Sequence, residues 1–208
     1  MKLSDLAKQM ALRTGVIFIV KALGFFARIV LFRILGAEGI GFYQMAYSVY
    51  VLILTVLTGG FPAAIALSTA GDRRLGWQLF KITAVFTALF GVAAAFYGYA
   101  RAPQIALLLG DVRLAFIIRC IAPALAIVPF LGIVRGFLQG MGSYAPITIS
   151  ELIEQLIRIA VMITVAAAWL RFGVPYAVGG SMLGASAGAA VSLLFLAIVL
   201  AGSAVRKW

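Results

Sequence analysis

Residues 14–35 read TGVIFIVKALGFFARIVLFRIL, an apolar run that carries Lys21 and Arg28 well inside it. A membrane-spanning helix needs roughly 20 mostly apolar residues, and this stretch is long enough. A charge near the middle of such a helix costs about 2.5–3.5 kcal/mol on insertion scales, so each cation needs an interior partner, a wet cavity or a route to the interface. Lys21 and Arg28 are seven residues apart, close to two helical turns, which puts both on one face with Gly24 between them. Each also lies about 10 Å from the nearer end of the run, so snorkelling to opposite interfaces is the competing account.

The rest of the chain has the same character. It has 208 residues, of which 64% are hydrophobic and 11% charged, and a mean hydropathy of +1.14. A soluble domain of this size could not bury that much apolar surface, whereas a bilayer solvates it. The net charge of +11 comes from 17 Lys and Arg against 6 Asp and Glu, with no His. Because these cations are dispersed among hydrophobic runs, they point to membrane topology and anionic ligands rather than nucleic acid. Without His there is no Ser-His-Asp triad, and the single Cys120 can close no disulfide within the chain and anchor no Cys/His metal site. The Gly-rich stretch LGAEGIG (35–41) lacks the Lys-Ser/Thr pair of a phosphate-binding loop and reads as a turn between helices. The expectation is a protein that is not an enzyme and that needs no cofactor and no metal.

Six segments are long and apolar enough to span: 14–35, 42–70, 79–99, 114–138, 147–170 and 176–202. The predicted fold is therefore all-α and polytopic, with a six-helix bundle over 13–208. Ahead of it, residues 1–12 place Leu3, Leu6, Ala7 and Met10 on one face, as a short interfacial amphipathic helix would. Loop cations give the orientation. Lys2, Lys8, Arg13, Arg73, Arg74, Arg206 and Lys207 fall on one side, against Arg33, Arg101, Arg113 and Arg171 on the other. That excess predicts a cytoplasmic N-terminus. Gly59-Gly60 and Pro62 are expected to interrupt the second span, and Pro123, Pro129, Gly132 and Gly136 to punctuate the fourth. Helices with freed backbone groups line a protein interior or a wet cavity rather than lipid. Gly180, Gly184 and Gly188 recur every four residues in the sixth span, a packing surface for another helix.

Further polar groups repeat the pattern of the first span. Arg119 sits in the fourth. In the fifth, Glu151, Glu154 and Arg158 fall at i, i+3 and i+7, and the step from Glu154 to Arg158 lets carboxylate and guanidinium meet. The surplus acid makes Glu151 a candidate proton-exchanging group; a structural ion pair is the plainer account. In the second span Tyr43, Tyr47 and Tyr50 share a face beside a stripe of Gln44, Ser48 and Thr55. The tyrosines read either as an interfacial belt or as a sugar-stacking wall. Spans one, two, four and five thus carry polar stripes, while three and six are expected to stand apart from them. A water-filled, cation-lined cavity fits that distribution, and its ligand would be an anion.

Two stretches carry a family resemblance: LGAEGIGFYQMAYSVYVLILTVLTGGFPAAIA (35–66) and RGFLQGMGSYAPITISELIEQLIRI (135–159). They resemble the stage V sporulation protein B-like polysaccharide-biosynthesis flippases of the multidrug/oligosaccharidyl-lipid/polysaccharide exporter superfamily, which also includes the peptidoglycan lipid II flippases. The resemblance implies two six-helix bundles around a central cavity, in a bacterial inner (cytoplasmic) membrane. By alternating access, they would carry a lipid-linked saccharide diphosphate between leaflets. It places the cationic cavity at Lys21 and Arg28, with Arg119 and Arg158 added, and a polar wall at Tyr43, Gln44, Tyr47, Ser48, Glu151 and Glu154. Members of the family have about twice as many helices. The expectation is therefore that these residues form the N-terminal bundle and need a C-terminal bundle, or a second copy, as partner. A drug/cation antiporter of the same superfamily and a non-transporting membrane scaffold are the alternatives.

Overall fold

The computed structural model describes the backbone of residues 3–204 and the side chains of residues 14–202. The interfacial helix expected over residues 1–12 lies outside the described side chains.

Helix α1 (Leu3–Thr58) would be roughly 84 Å long if straight, nearly three times the apolar thickness of a bilayer. It is not straight. Gly36 has φ 67° and ψ −176°, a region essentially closed to residues with a Cβ. There the chain turns back on itself. The Arg28 guanidinium lies 5.5 Å from the centre of the Tyr47 ring, and the Phe32 and Tyr43 rings are 6.4 Å apart. In one straight helix Arg28 and Tyr47 would be separated by about 28 Å. Helix α1 is therefore a hairpin of two antiparallel limbs, residues 14–35 and 37–58.

Gly59 and Gly60 then break the helix with φ 46° and 84°, and α2 (Phe61–Gly71) restarts with Pro62 in its first turn, as expected. Asp72 caps α3 (Arg73–Ala100) by accepting from the Arg74 and Leu75 amides at 2.8 and 3.4 Å. A short α4 (Ala102–Leu108), with Pro103 in its first turn, lies between the third and fourth predicted spans. Helix α5 (Leu114–Gly140) follows. Helix α6 (Tyr144–Trp169) ends in a 3₁₀ turn, Leu170–Phe172, and α7 (Val174–Ala204) completes the bundle. Among the described residues, five helical runs are long and apolar enough to cross a membrane, the first being the 58-residue run Thr14–Gly71. Folded at Gly36, that run supplies two crossings. The result is a polytopic all-α membrane protein.

Turns alternate between two ends of the bundle. At one end Glu38 meets Arg113, and Val174 packs where a Cβ on Gly39 would stand. At the other, Trp77 and Phe80 pack on Phe137.

Helix α5 is the core. Half of its most apolar window is buried inside the protein, against 11% for α3 and α6, so α5 is wrapped by protein while α3 presents itself to lipid. Phe96 and Val85 on α3 are 74% and 69% exposed, which only an apolar solvent tolerates. Pro123 and Pro129 do not break α5, contrary to the punctuation read from the sequence; the helix runs through both. Its glycines serve close packing instead. A Cβ at Gly136 would stand 2.4 Å from the Pro62 carbonyl oxygen, so α2 lies directly against α5. The four-residue glycine spacing on α7 works the same way against α6. Cβ atoms at Gly184 and Gly188 would each come within 2.6 Å of a carbonyl oxygen, of Arg158 and Glu154 respectively. That contact brings α6's charged residues up against α7.

Candidate functional site

A cavity of about 420 Å³ opens between the two limbs of α1 and helices α5, α6 and α7. The first limb contributes Lys21, Gly24 and Arg28, residues that recur on one helical face. The second limb contributes Tyr43, Tyr47 and Tyr50, and α6 contributes Gln155, Arg158, Ile159 and Met162, which again share a face. Gly24 leaves room for the tip of the Gln155 side chain, whose Nε2 would stand 2.7 Å from a Cβ there. Three cations from two helices thus border one space. Tyr43 and Tyr47 stack at 5.6 Å with an interplanar angle of 15°, and Arg28 lies over Tyr47.

Behind Arg158 lies a polar network in the α5–α6–α7 interface. Arg158 donates through Nη2 to Oε1 of Glu154, the i,i+4 pairing expected from the sequence. The other carboxylate oxygen of Glu154 is 2.8 Å from Nη1 of Arg135 on α5. Arg135 also donates through Nε to Ser150 Oγ at 3.0 Å and through Nη2 to Ser192 Oγ at 2.9 Å. Ser192 donates on to the Ser150 carbonyl at 2.9 Å, and both serines are fully buried. Every nitrogen of Arg135 is therefore engaged. Arg158 is not saturated, since its buried Nε has no hydrogen-bond partner. A buried donor left open costs free energy unless something supplies an acceptor.

The remaining residues singled out from the sequence stand elsewhere. Arg119 is exposed and lies over the Tyr99 ring at 5.7 Å, toward α3 and away from the cavity lining. Gln44 and Ser48 are exposed on the other side of their limb from the cavity-lining tyrosines. Glu151 is half-buried and, among the described residues, joins no ion pair. Glu154 sits behind the wall rather than in it, 12% exposed between two guanidiniums. An excess of acid was expected in this helix; with Arg135 counted, the balance around Glu154 is positive. Helix α7, expected to stand apart, supplies Ser181, Met182 and Ala185 to the lining.

At the Gly36 end, outside the spanning segments, Arg113 bridges Glu38 at 2.6 Å and Asp111 at 2.7 Å and covers the Phe42 ring. Its side-chain hydrogen bond holds the Asp111 carboxyl below the usual carboxylate range.

The family model described as "Polysaccharide biosynthesis protein" matches residues 6–206. The chain belongs to this family. Among curated proteins, 205 residues align at 31% identity with stage V sporulation protein B of Bacillus subtilis (strain 168), covering 92% of this chain and 39% of that protein. Another 181 residues align at 30% with the lipid II flippase MurJ of the same organism, covering 77% of this chain and 33% of that one. An uncharacterized membrane protein, YabM, is similar at 30% over 86% of this chain and 34% of its own length. The chain spans between a third and two-fifths of the length of these relatives. No solved structure matches.

The stretch matched to the polysaccharide biosynthesis family contains the whole cavity. Two of its features escaped the sequence reading. Gln155 follows Glu154 in the chain, but it faces the cavity because one residue turns a helix by about 100°. The face Gln155–Ile159–Met162 was legible as a helical period; attention to charge concealed it. Arg135 was legible only as an arginine near the end of α5, since its partner is 19 residues away on a different helix.

Proposed function

We propose that this chain is one bundle of a membrane flippase for lipid-linked saccharide precursors, and that its cavity holds the anionic diphosphate of such a lipid. The observation that carries this reading is the convergence of Lys21, Arg28 and Arg158 on one space of about 420 Å³ at bilayer depth. Cations at that depth are costly unless hydrated or paired, and an anionic headgroup offsets the cost while the lipid tail stays in the bilayer. Membership of the polysaccharide biosynthesis family and likeness to a lipid II flippase support the same class of cargo. The stacked tyrosines beside Arg28 offer aromatic edges and hydroxyls to a sugar ring. Alternating access against a second bundle would carry the headgroup from the cytoplasmic to the outer leaflet. The loop arginines Arg73 and Arg74 favour the cytoplasmic side for the end opposite Gly36. No covalent chemistry is involved.

An exporter of cationic compounds would need uncompensated acids in the lining. The nearest carboxylate, Glu154, lies between two arginines and outside the lining. The test is flipping of a lipid-linked saccharide diphosphate by the full-length protein in proteoliposomes. Lys21→Ala and Arg28→Ala should each abolish transport with membrane insertion intact, and Arg28→Gln should rescue little. Transport at the wild-type rate by the alanine variants would refute the reading, and a protein without transport in any form would support a scaffold.

A further inference from the structure

We infer that Arg135, which does not touch the cavity, sets the cavity's affinity for anions by sharing Glu154 and so leaving Arg158 only partly neutralised; the inference rests on the anion-binding reading above. The two arginines that share Glu154 are held very differently. Arg135 has each of its three nitrogens bonded, to Ser150, Ser192 and Glu154, and its side chain is 19% exposed. It has no donor nitrogen left uncommitted. Arg158 lines the cavity, is 34% exposed, bonds Glu154 through Nη2 alone and keeps a buried Nε without a partner. One guanidinium is held on three sides, and the other, held on one, is the more exposed of the two.

The charge balance makes the consequence specific. Lys21, Arg28, Arg158 and Arg135 against Glu154 leave a net charge of +3 around the cavity. If Arg135 were absent, Glu154 would fall wholly to Arg158, and the net charge would drop to +2. If Glu154 were neutral, it would rise to +4. With both changes it returns to +3, carried entirely by the three residues of the lining. A carboxylate at this range in a partly buried setting is worth about tenfold in the affinity of a facing anion. Arg135 is thus a positioning residue, acting on the ligand only through Glu154 and Arg158.

Equilibrium binding of farnesyl diphosphate to the full-length protein in nanodiscs tests this. Arg135→Met should weaken binding by about tenfold, and Glu154→Gln should tighten it or leave it unchanged. The double variant Arg135→Met/Glu154→Gln should return close to wild type. Arg135→Lys keeps the charge without the fork, so it should bind as wild type even where its stability is lower. A purely structural Arg135 would give the opposite pattern, with the double variant at least as weak as Arg135→Met. That result, or wild-type binding by Arg135→Met, would overturn the inference. Lys21→Ala separates the two levels: loss of binding there with unchanged Arg135→Met would sink only the role of Arg135. Unchanged binding by Lys21→Ala would sink the anion-binding reading itself.

Discussion

Arg135 on α5 and Glu154 on α6 meet at 2.8 Å across a helix interface that contains two fully buried serines. This pair ties α5 to α6, while Ser192 extends the tie to α7. Removing one partner of a buried pair strands the other, at a cost of about 3–5 kcal/mol. Glu154→Ala leaves two guanidiniums without their shared acceptor, whereas Arg158→Ala leaves Glu154 still paired with Arg135. Glu154→Ala should therefore be the more destabilising change in thermal unfolding of the nanodisc-embedded protein. The reverse order would mean that Arg158, not Arg135, is the main partner of Glu154.

The glycines of α7 give a second expectation. Gly188→Ala would drive a Cβ to 2.6 Å from the Glu154 carbonyl, while a Cβ at Gly41 meets nothing within 4 Å. Rigid backbone cannot yield as a flexible side-chain tip can, so α6 and α7 must separate. Gly188→Ala should cost about 1–3 kcal/mol and disturb Arg158 with it. Gly41→Ala should be neutral or slightly stabilising, since alanine favours helix. Equal melting temperatures for the two variants would show that the contact is looser than the geometry requires.

The hairpin depends on Gly36. Its φ of 67° with ψ −176° is essentially open to glycine alone, and Gly36→Ala should cost about 1–3 kcal/mol. Cysteine cross-linking reads this directly. A cysteine pair replacing Phe32 and Tyr43, whose rings are 6.4 Å apart, should be bridged by a flexible bifunctional thiol reagent in an otherwise cysteine-free protein, and less so after Gly36→Ala. Failure of the pair to cross-link at all would mean that the two limbs do not lie side by side.

A pH effect belongs to the Arg113 clasp beside that turn. Asp111 has its carboxyl lowered by Arg113, so its contribution is present above the unfolded carboxylate range, around pH 4, and fades as pH falls through the lowered folded value. The clasp is exposed, so the effect is small. Stability should be flat in this component from pH 7 to 5 and decline below it, and Asp111→Asn should remove that part of the decline. An identical acid profile in the variant would assign the decline to other groups.

What the sequence made legible follows from what is local. Apolar length located the spans, and Gly59-Gly60 with Pro62 located the break before α2. The seven-residue spacing of Lys21 and Arg28 placed them on one face, and the four-residue step placed Arg158 beside Glu154. Helical geometry alone governs all of these. Contacts between distant helices were not legible. Arg119 was read with Arg158 as a further cavity cation, yet α5 turns it toward Tyr99 on α3. Arg135 could be read only as a further charge near the end of the fourth span, yet it completes the charge balance behind the cavity. Prolines in α5 looked like breaks because propensities learned in water penalise them, whereas surrounding helices in a bundle can re-satisfy the freed backbone groups. Helix α7 lacked any charge to draw notice, although its small residues admit it to the cavity wall.

The central claim is that Lys21, Arg28 and Arg158 together hold an anionic headgroup. A cryo-electron microscopy structure of the full-length protein with a lipid-linked saccharide diphosphate tests it most directly. The account expects density for the two phosphates between Lys21, Arg28 and Arg158, with the sugar against Tyr43 and Tyr47 and with Arg135 still bonded to Glu154. Phosphate density elsewhere, for example at Arg119 beside Tyr99, with the Lys21 and Arg28 side chains extended to the interfaces, would contradict it.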